Sequence, residues 1–354
     1  METKRNGKVF LLLVSLLFII SGCGEKKEKE TTQLVNEPYS RTEFLMGTVI
    51  NVKIYDEGKE EVLTDVFDRI EELSEKITVN DGQSEVEKIN EQAGIQPLEV
   101  SDDVYFLLKA AYGYSKESDG SFDMTIGPLT DLWHIGFDDA KKPTQSEIDT
   151  SLALVDYSKV ELDDEKHTVF LKDKDMRLDL GAIAKGYITD EAVGTLKANG
   201  VSTAIVDLGG NIFVLGNSPR AKDAEWNVGI QDPFETRGEI LGSIPISNKT
   251  IVTSGIYERF IEVDGKKYHH LLDPETGFPF ENELAGVSII TEQSIDGDGL
   301  STVVFSKGLK DGLEFINQSE DIEAIFVTKD KSVYLSKGMK GHFRLNNDEF
   351  TLKN

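Results

Sequence analysis

The sequence predicts an α+β fold, a single domain in which strands and helices are mixed. Two local patterns support this prediction. Residues 43–55 alternate as expected for a strand that enters a core, whereas apolar residues recur every three or four positions between 60 and 77, as in an amphipathic helix. Along the rest of the chain the predicted strands and helices do not alternate strictly, so an α+β arrangement is favoured over a doubly wound sheet.

Further elements of the first half follow from the same patterns. Helices are expected at about 84–93 and 101–117. Between residues 119 and 137, turn formers and large apolar residues follow each other without a clear period. An ordered loop that lines a pocket is expected there.

The second half contains more strands than helices. A helix is expected from about Ala182 to Ala198, because Asn199-Gly200 ends a helix well. Two more helices are expected at 298–307 and 309–317. The predicted strands are 158–162, 167–171, 203–207, 226–230, 240–247, 257–263, 284–291, 322–328 and 332–336.

The first 22 residues have the pattern of a secretory signal peptide. Basic residues precede an apolar run at 9–20, which is short for a membrane span, and small residues follow it. The small residues end on Cys23, the only cysteine of the chain. This arrangement resembles a bacterial lipobox, in which the cysteine is diacylated and becomes the first residue of the mature protein. The alternative is a transmembrane anchor that contains a cysteine.

The mature chain is expected to be strongly acidic and tethered to a membrane. Residues 1–22 carry three Lys or Arg and one Glu, so their removal changes the formal net charge from −26 to −28. Such a charge disfavours nucleic acid and anionic lipid as docking partners. Residues 23–38 are charged and nearly free of apolar side chains after Cys23, as in a flexible tether, and residues 39–354 are predicted to form the domain.

A candidate metal site lies near the end of the chain. Asp298 and Thr302 are four residues apart at the start of a predicted helix, so they share one helical face. Two hard oxygen ligands of this kind suit a magnesium ion that keeps positions open for water and a phosphate. The neighbouring Asp296 does not complete the spacing of an EF-hand calcium loop.

Two glycine-containing turns are candidates for phosphate binding. In residues 179–187 a strand is expected to end and a helix to begin, and backbone N–H groups at such a junction, together with Lys185, can face a phosphate. The segment is neither a P-loop nor a dinucleotide-binding fingerprint. The turn at 207–211 contains two glycines, which permit close approach of a ligand. Each of these turns, taken alone, is equally compatible with a purely structural role.

Two adjacent histidines precede an Asp-Pro turn. A neutral imidazole at His269 or His270 can accept a proton from an attacking hydroxyl group near a metal-bound pyrophosphate. A packing or capping role beside Asp273-Pro274 is the alternative.

Taken together, seven segments resemble the ApbE family, the FAD:protein FMN transferases. They occur in the order expected for that family between about residues 40 and 345. The segments are 46–48, 120–129, 179–187, 207–211, 253–255, 270–277 and 298–302.

The resemblance implies a single α+β domain that holds FAD and Mg²⁺ in a cleft. It implies transfer of FMN from FAD to a threonine of another protein through a phosphoester bond, with release of AMP. His270 and Asp298 receive catalytic roles by the same comparison, although an ionised aspartate near the metal could replace His270 as the proton acceptor. The implied FAD contacts are Met46, Ser121, Phe122, Asp123, Asp179, Lys185 and Leu272. The implied magnesium ligands are Ala182 through its carbonyl, Asp298, Ser301 and Thr302.

The resemblance leaves alternatives for the reaction. In an FAD pyrophosphatase, water would replace threonine and FAD would be cut to FMN and AMP; a third possibility is a lipoprotein that only binds FAD. The expected partner of a transferase anchored outside the cytoplasm is an extracytoplasmic redox protein with a target threonine. Gly299 stands where alanine is common in the family and is expected to loosen the start of its helix slightly.

Overall fold

The central element of the fold is a nine-stranded, mainly antiparallel sheet, seen in a computed structural model that describes residues 33–79 and 83–353. The strands of these residues are β1 (Leu34–Leu45), β2 (Thr48–Asp56), β3 (Leu98–Glu99), β4 (Val160–Asp163), β5 (Thr168–Leu171), β6 (Ala204–Leu208), β7 (Asn211–Leu215), β8 (Trp226–Gln231), β9 (Ile240–Ile246), β10 (Lys249–Gly255), β11 (Phe260–Val263), β12 (Lys266–His269), β13 (Leu284–Thr291), β14 (Glu323–Thr328), β15 (Ser332–Leu335), β16 (Arg344–Leu345) and β17 (Thr351–Lys353). The α-helices are α1 (Val62–Ile77), α2 (Glu85–Glu91), α3 (Asp102–Glu117), α4 (Gly127–Trp133), α5 (Gln145–Leu152), α6 (Ala184–Ala198) and α7 (Ser294–Gln318). The α+β prediction is therefore confirmed.

The strand order of the central sheet is β1-β2-β6-β7-β10-β13-β14-β15-β17. Smaller sheets have the orders β16-β9-β8, β3-β5-β4 and β11-β12. Strand pairs in the central sheet are antiparallel except for β15 and β17, which are parallel. This mostly antiparallel pairing explains why the sequence lacks the strand–helix alternation of a parallel sheet.

The central sheet is covered on both faces. Along β6, Ala204, Val206 and Leu208 belong to the core shared with α1, α3 and α6, whereas Ile205 points to a second core shared with β8 and β9. This alternation follows from the two-residue period of a strand. Helices therefore cover one face of the sheet and the small β8–β9 sheet covers the other.

Helices α6 and α7 lie side by side and run in opposite directions. Asp190 of α6 is hydrogen-bonded to the first residue of α7, Ser294, while Gly186, one turn earlier in α6, meets Asp298, one turn later in α7. Helix α7 is interrupted at Gly308, which has a φ of 70°. Helix α7 therefore consists of two successive helices that meet at Gly308, as predicted at 298–307 and 309–317, and the first begins four residues earlier than predicted.

Two predicted segments are wrong in their boundaries because of local turn chemistry. The strand predicted at 43–55 is a hairpin, since Met46 and Gly47 both have positive φ, 51° and 68°, and reverse the chain. The loop predicted at 119–137 contains α4, which places Pro128 in its first turn, where the missing N–H costs nothing.

Two further corrections concern strands and the tether. The strand predicted at 257–263 covers a turn at 256–259 and β11, while β10 before it was not predicted. Residues 34–38, assigned to the tether, form the start of β1, where Leu34 is paired with Asp56 of β2. An edge strand gains its backbone hydrogen bonds from one neighbour and needs few apolar side chains. The polar composition of this segment therefore did not distinguish a strand from a tether.

The remaining N-terminal predictions lie outside the described residues. These are the signal peptide at 1–22, the lipidated Cys23 and the first part of the tether. Among the residues that are described, none of the helices has the length and apolar character needed to cross a membrane.

Candidate functional site

Three turns lie together at one end of the strands of the central sheet. The β1–β2 turn at Met46-Gly47 and the β6–β7 turn at Gly209-Gly210 are in contact, because a Cβ on Gly209 would lie 2.3 Å from Thr48 Oγ1. The N–H of Gly209 also donates to Val49 O at 3.1 Å. Strand β10 also ends there, since its first residues pair with β7 and its last, Gly255, extends past the start of β7. Segments 46–48, 207–211 and 253–255, which the family resemblance names separately, are thus neighbours in the structure.

The α6–α7 contact is close because α6 carries a glycine there. A Cβ on Gly186 would lie 2.4 Å from Ser294 O and 2.8 Å from Asp298 Cβ. Asp190 strengthens the contact by accepting hydrogen bonds from Ser294 N at 2.7 Å and Ile295 N at 2.8 Å, which satisfies the free N–H groups at the start of α7. Burial raises the pKa of Asp190 to about 6, and those hydrogen bonds oppose the shift.

Asp298 is buried at this contact and faces the start of α6. It is 4% exposed, its Oδ2 accepts from Gly186 N at 2.8 Å, and its Oδ1 lies 3.4 Å from Lys185 Nζ. The pairs 190–294 and 186–298 advance by one turn in each helix. One further turn in each direction leads to Ala182, in the segment just before α6, and to Thr302 in α7.

The oxygen atoms gathered here have the chemistry of a magnesium site. One carboxylate (Asp298), one hydroxyl (Thr302) and a main-chain carbonyl (Ala182) are hard ligands, and few of them are charged. The described part of the chain has no cluster of three or more His, Cys, Asp or Glu residues suited to a metal. The donor set therefore fits Mg²⁺, which commonly uses one or two carboxylates with water and phosphate, better than zinc.

Ser301 is the least available of the predicted metal ligands. It is fully buried, its hydroxyl donates to Asp298 O at 2.8 Å, and it shares a hydrogen bond of 2.7 Å with Ser254 Oγ of β10. These contacts fix α7 against the sheet. Thr302 is half-buried, and its side chain makes no hydrogen bond within the described residues, so its oxygen remains free to bind a ligand.

His270 is oriented as a proton acceptor. Its N–H and its Nδ1 both approach the carbonyl oxygen of Arg259, at 3.1 and 3.2 Å, so Nδ1 carries the hydrogen and Nε2 keeps a lone pair. Burial lowers the pKa of His270 to about 4, and the charges of Arg259 and Lys185 add to this effect. The imidazole is therefore neutral at pH 7, and the charge of Lys185, the partner of Asp298, helps to keep it so.

His269, by contrast, is a packing residue. It is 7% exposed, its Nε2 donates to Phe280 O at 3.1 Å, and its ring lies edge-on to Phe305. Burial lowers the pKa of His269 to about 4. The packing role that was the alternative to proton transfer for the two histidines thus applies to His269.

Predicted FAD contacts from the segment after α3 have structural partners. Asp123 Oδ1 accepts from Thr125 N at 2.8 Å and Thr125 Oγ1 at 2.6 Å, and Asp123 Oδ2 accepts from Tyr157 N at 3.1 Å. Burial raises the pKa of Asp123. Phe122 is buried beside this carboxylate, and Ser121 is half-buried with a hydroxyl oxygen that lacks a partner among the described residues. The Asp123 carboxylate thus holds the segment in shape.

Asp179 joins this segment to the start of α6. Its N–H donates to Met124 O at 3.0 Å, and its Oδ1 accepts from Gly181 N at 2.8 Å, which shapes the turn that contains Ala182. Lys185 Nζ reaches back to Gly181 O at 3.3 Å. A phosphate bound at this turn would meet backbone N–H groups and one cation.

Met46 and Leu272 occupy different surroundings. Met46 is half-buried at the β1–β2 turn, with its side chain against the main core. Leu272 is 7% exposed in an apolar cluster with Trp133, whose indole N–H donates to Gly277 O at 2.9 Å. Because its side chain is enclosed, Leu272 has chiefly its main chain to offer a ligand.

Sequence reasoning missed the groups that connect these parts. Asp190 and Gly186 set the α6–α7 contact, but no local pattern links residue 190 to residue 294. Tyr114 donates to Asp296 Oδ1 at 2.6 Å across α3 and α7, a pairing equally invisible in the sequence. Arg259 belongs to none of the seven segments, although its carbonyl orients His270.

Comparison with known proteins identifies relatives along nearly the whole chain. The ApbE family model matches residues 46–326. An FAD:protein FMN transferase of Klebsiella pneumoniae is 41% identical over 308 residues, which cover 87% of this chain and 95% of the relative. A protein of the same name from Treponema pallidum is 35% identical and covers 97% of both chains.

Solved structures of similar proteins have the same fold. The ApbE protein of Thermotoga maritima aligns with a TM-score of 0.78 and 30% identity, over 87% of this chain and all of the other. The flavinyl transferase ApbE of Pseudomonas stutzeri, in its apo form, aligns with a TM-score of 0.75 and 27% identity, over 88% of this chain and 98% of the other.

Proposed function

The chain belongs to the ApbE family, and on this basis we propose that it is an FAD:protein FMN transferase, an enzyme that moves FMN from FAD to another protein. One observation carries the proposal beyond family membership. A buried carboxylate, Asp298, is paired with Lys185, and the charge of that lysine acts on a neutral histidine, His270, whose Nδ1 is engaged with the Arg259 carbonyl so that Nε2 can accept a proton.

The acceptor group in this proposal is a threonine hydroxyl. The threonine oxygen forms a bond to the FMN-side phosphorus of FAD, the bond from that phosphorus to the oxygen of the AMP phosphate breaks, and AMP leaves with the electron pair. The hydroxyl proton passes to Nε2 of His270, which is held for this role by its bond to the Arg259 carbonyl.

Three oxygen donors would hold the magnesium ion: the carboxylate of Asp298, the hydroxyl of Thr302 and the carbonyl of Ala182. When bound, Mg²⁺ neutralises charge on the pyrophosphate oxygens. Lys185 supplies a second positive charge beside Asp298, and the turn before α6 offers N–H groups to the phosphate.

Intact-mass analysis tests the proposal. The detergent-solubilised full-length chain is mixed with FAD, Mg²⁺ and an acceptor domain carrying a Ser-Gly-Ala-Thr segment, and AMP is followed in parallel. We expect the acceptor to gain the mass of FMN as AMP accumulates, and neither change when the threonine of the segment is replaced by valine. AMP release with an unmodified acceptor would instead indicate an FAD pyrophosphatase, and FAD binding without AMP would indicate a flavin-binding protein.

We also propose that the enzyme is an extracytoplasmic lipoprotein, anchored to the bacterial cell membrane and serving extracytoplasmic redox proteins. The support is the basic, apolar and small-residue pattern that ends at Cys23. Metabolic labelling with an alkyne-bearing fatty acid tests this. The wild-type chain should be labelled and sediment with membranes, whereas Cys23→Ser should do neither; equal labelling of both would refute the assignment.

A further inference from the structure

The side chain of Arg259 passes two glycines, Gly136 and Gly47, whose missing side chains leave room for it. Arg259 follows β10, and its side chain passes Gly136, where a Cβ would lie 2.9 Å from Arg259 Cδ. Its guanidinium reaches the β1–β2 turn, where a Cβ on Gly47 would lie 3.6 Å from the terminal nitrogen Nη2. Both glycines have positive φ, 106° and 68°, so other residues would be strained at these positions.

The main chain of Arg259 is tied to the candidate base. Its carbonyl oxygen accepts from both the backbone N–H and the Nδ1 of His270, at 3.1 and 3.2 Å. The arginine and the imidazole therefore share one rigid frame, the β11–β12 hairpin, in which Phe260 pairs with His269. A ligand that contacts Nε2 of His270 therefore lies close to the main chain of Arg259.

The guanidinium of Arg259 is exposed and makes no ion pair with the described residues. This contrasts with Arg69, which is held by three carboxylates. The chain contains 64 acidic and 38 basic residues, so carboxylates that could pair with a basic side chain are in excess. A positive charge left free next to His270 is available to a bound anion.

We infer that Arg259 is a catalytic residue that contacts a non-bridging oxygen of the phosphate being transferred. This inference rests on the proposed transferase function. As the threonine oxygen approaches phosphorus and the bond to AMP breaks, negative charge spreads over the phosphate oxygens. The planar guanidinium can donate two parallel hydrogen bonds to them, a geometry that the single ammonium group of Lys185 cannot offer.

Three variants of the full-length chain test this inference by AMP release and by FAD binding. Arg259→Met keeps the aliphatic stem beside Gly136 but removes the charge, and Arg259→Lys keeps a charge. Arg220→Met is the matched control. Burial raises the pKa of Tyr55 and the charge of Arg220 opposes that shift, which places Arg220 near the end of β2 farthest from Gly47, roughly 25 Å away.

Arg259→Met should lower kcat by about 100- to 1000-fold while the dissociation constant for FAD changes far less. Arg259→Lys should recover part of the loss, and Arg220→Met should match the wild type. In Arg259→Met the acid limb of the kcat/KM profile should also move to higher pH, because the charge that helps to keep His270 neutral is gone.

Three outcomes would overturn the inference. Activity of Arg259→Met within threefold of the wild type would show that the side chain only packs. An equal loss in Arg220→Met would show a general effect of charge. If the wild-type chain binds FAD but releases no AMP with any acceptor, the proposed function itself is wrong and the inference is withdrawn with it; a failure confined to the Arg259 variants leaves the proposed function intact.

Discussion

Turnover should persist to unusually low pH, because the candidate base is neutral far below the ordinary range of histidine. Burial lowers the pKa of His270 to about 4, compared with 6.5 for a free side chain. At pH 5 about 90% of such imidazoles are neutral, whereas only about 3% would be neutral with the ordinary pKa. The ratio kcat/KM reports the free enzyme, so it should stay near its pH 7 value at pH 5 instead of falling about 25-fold.

Initial rates of AMP release, measured from pH 4 to 8 at low FAD concentration, test this expectation. His270→Gln is the matched variant, since its amide can still donate to the Arg259 carbonyl but cannot accept a proton at neutral pH. It should lose about 100- to 10,000-fold in turnover while FAD still binds. A wild-type midpoint near pH 6.5, or a His270→Gln variant that keeps the wild-type rate and acid limb, would refute the assignment of His270 as the base.

Three further predictions concern the metal site, the helix contact and the second histidine. Asp298→Ala should lower metal-dependent turnover by roughly 100-fold or more and Thr302→Ala by less, as measured by AMP release against Mg²⁺ concentration; unchanged turnover in Asp298→Ala would remove the metal assignment. Gly186→Ala should destabilise the fold by about 1–3 kcal/mol in urea unfolding, because the new methyl group meets a carbonyl of α7, whereas Gly194→Ala in the same helix meets nothing and should be neutral or stabilising by up to about 1 kcal/mol; equal effects would contradict the packing argument. His269 is neutral in the folded protein but takes up a proton near pH 6.5 when unfolded. The free energy of unfolding of the wild type should therefore fall by about 2 kcal/mol between pH 7 and pH 5, a loss that His269→Leu should not show. Parallel pH profiles of the two proteins would contradict the depressed pKa of His269.

Much of the fold could be predicted because helical periodicity is a strong local signal. The helix predicted at 60–77 is α1, and the strand predicted at 284–291 is β13. Strand β10 escaped prediction because its buried and half-buried residues do not alternate. Thr250, Ile251 and Val252 are consecutive and all buried, whereas Thr253 and Ser254 are both half-buried, so no two-residue period marks the strand.

The sequence names the candidate site residue by residue but gives no information about its geometry. The family resemblance named Asp298 and Lys185, and the structure brings their side chains to 3.4 Å from each other. The roles of Asp123 and Leu272 were harder to anticipate, since burial and hydrogen bonding inside their own segments depend on distant partners such as Tyr157. Which polar groups are engaged in the fold and which remain free for a ligand is decided by tertiary contacts.

Gly299 shows why a helix propensity alone misjudges this site. Glycine inside a helix costs up to about 1 kcal/mol relative to alanine, so a looser start of α7 was expected. The structure gives the glycines of this turn a packing role. A Cβ on Gly299 would lie 2.9 Å from the ring of Tyr114, and one on Gly297 would lie 2.8 Å from Val252.

The start of α7 is thus held on three sides by neighbours that only glycines admit. On the α3 side Tyr114 also donates to Asp296, on the sheet side Gly297 packs against β10, and on the third side Gly186 of α6 donates to Asp298. The small loss in helix propensity is offset by these contacts, which fix the Asp298 carboxylate before any ligand arrives. An alanine at 297 or 299 would favour the isolated helix but would push α7 away from its neighbours, and the position of the carboxylate would change with it.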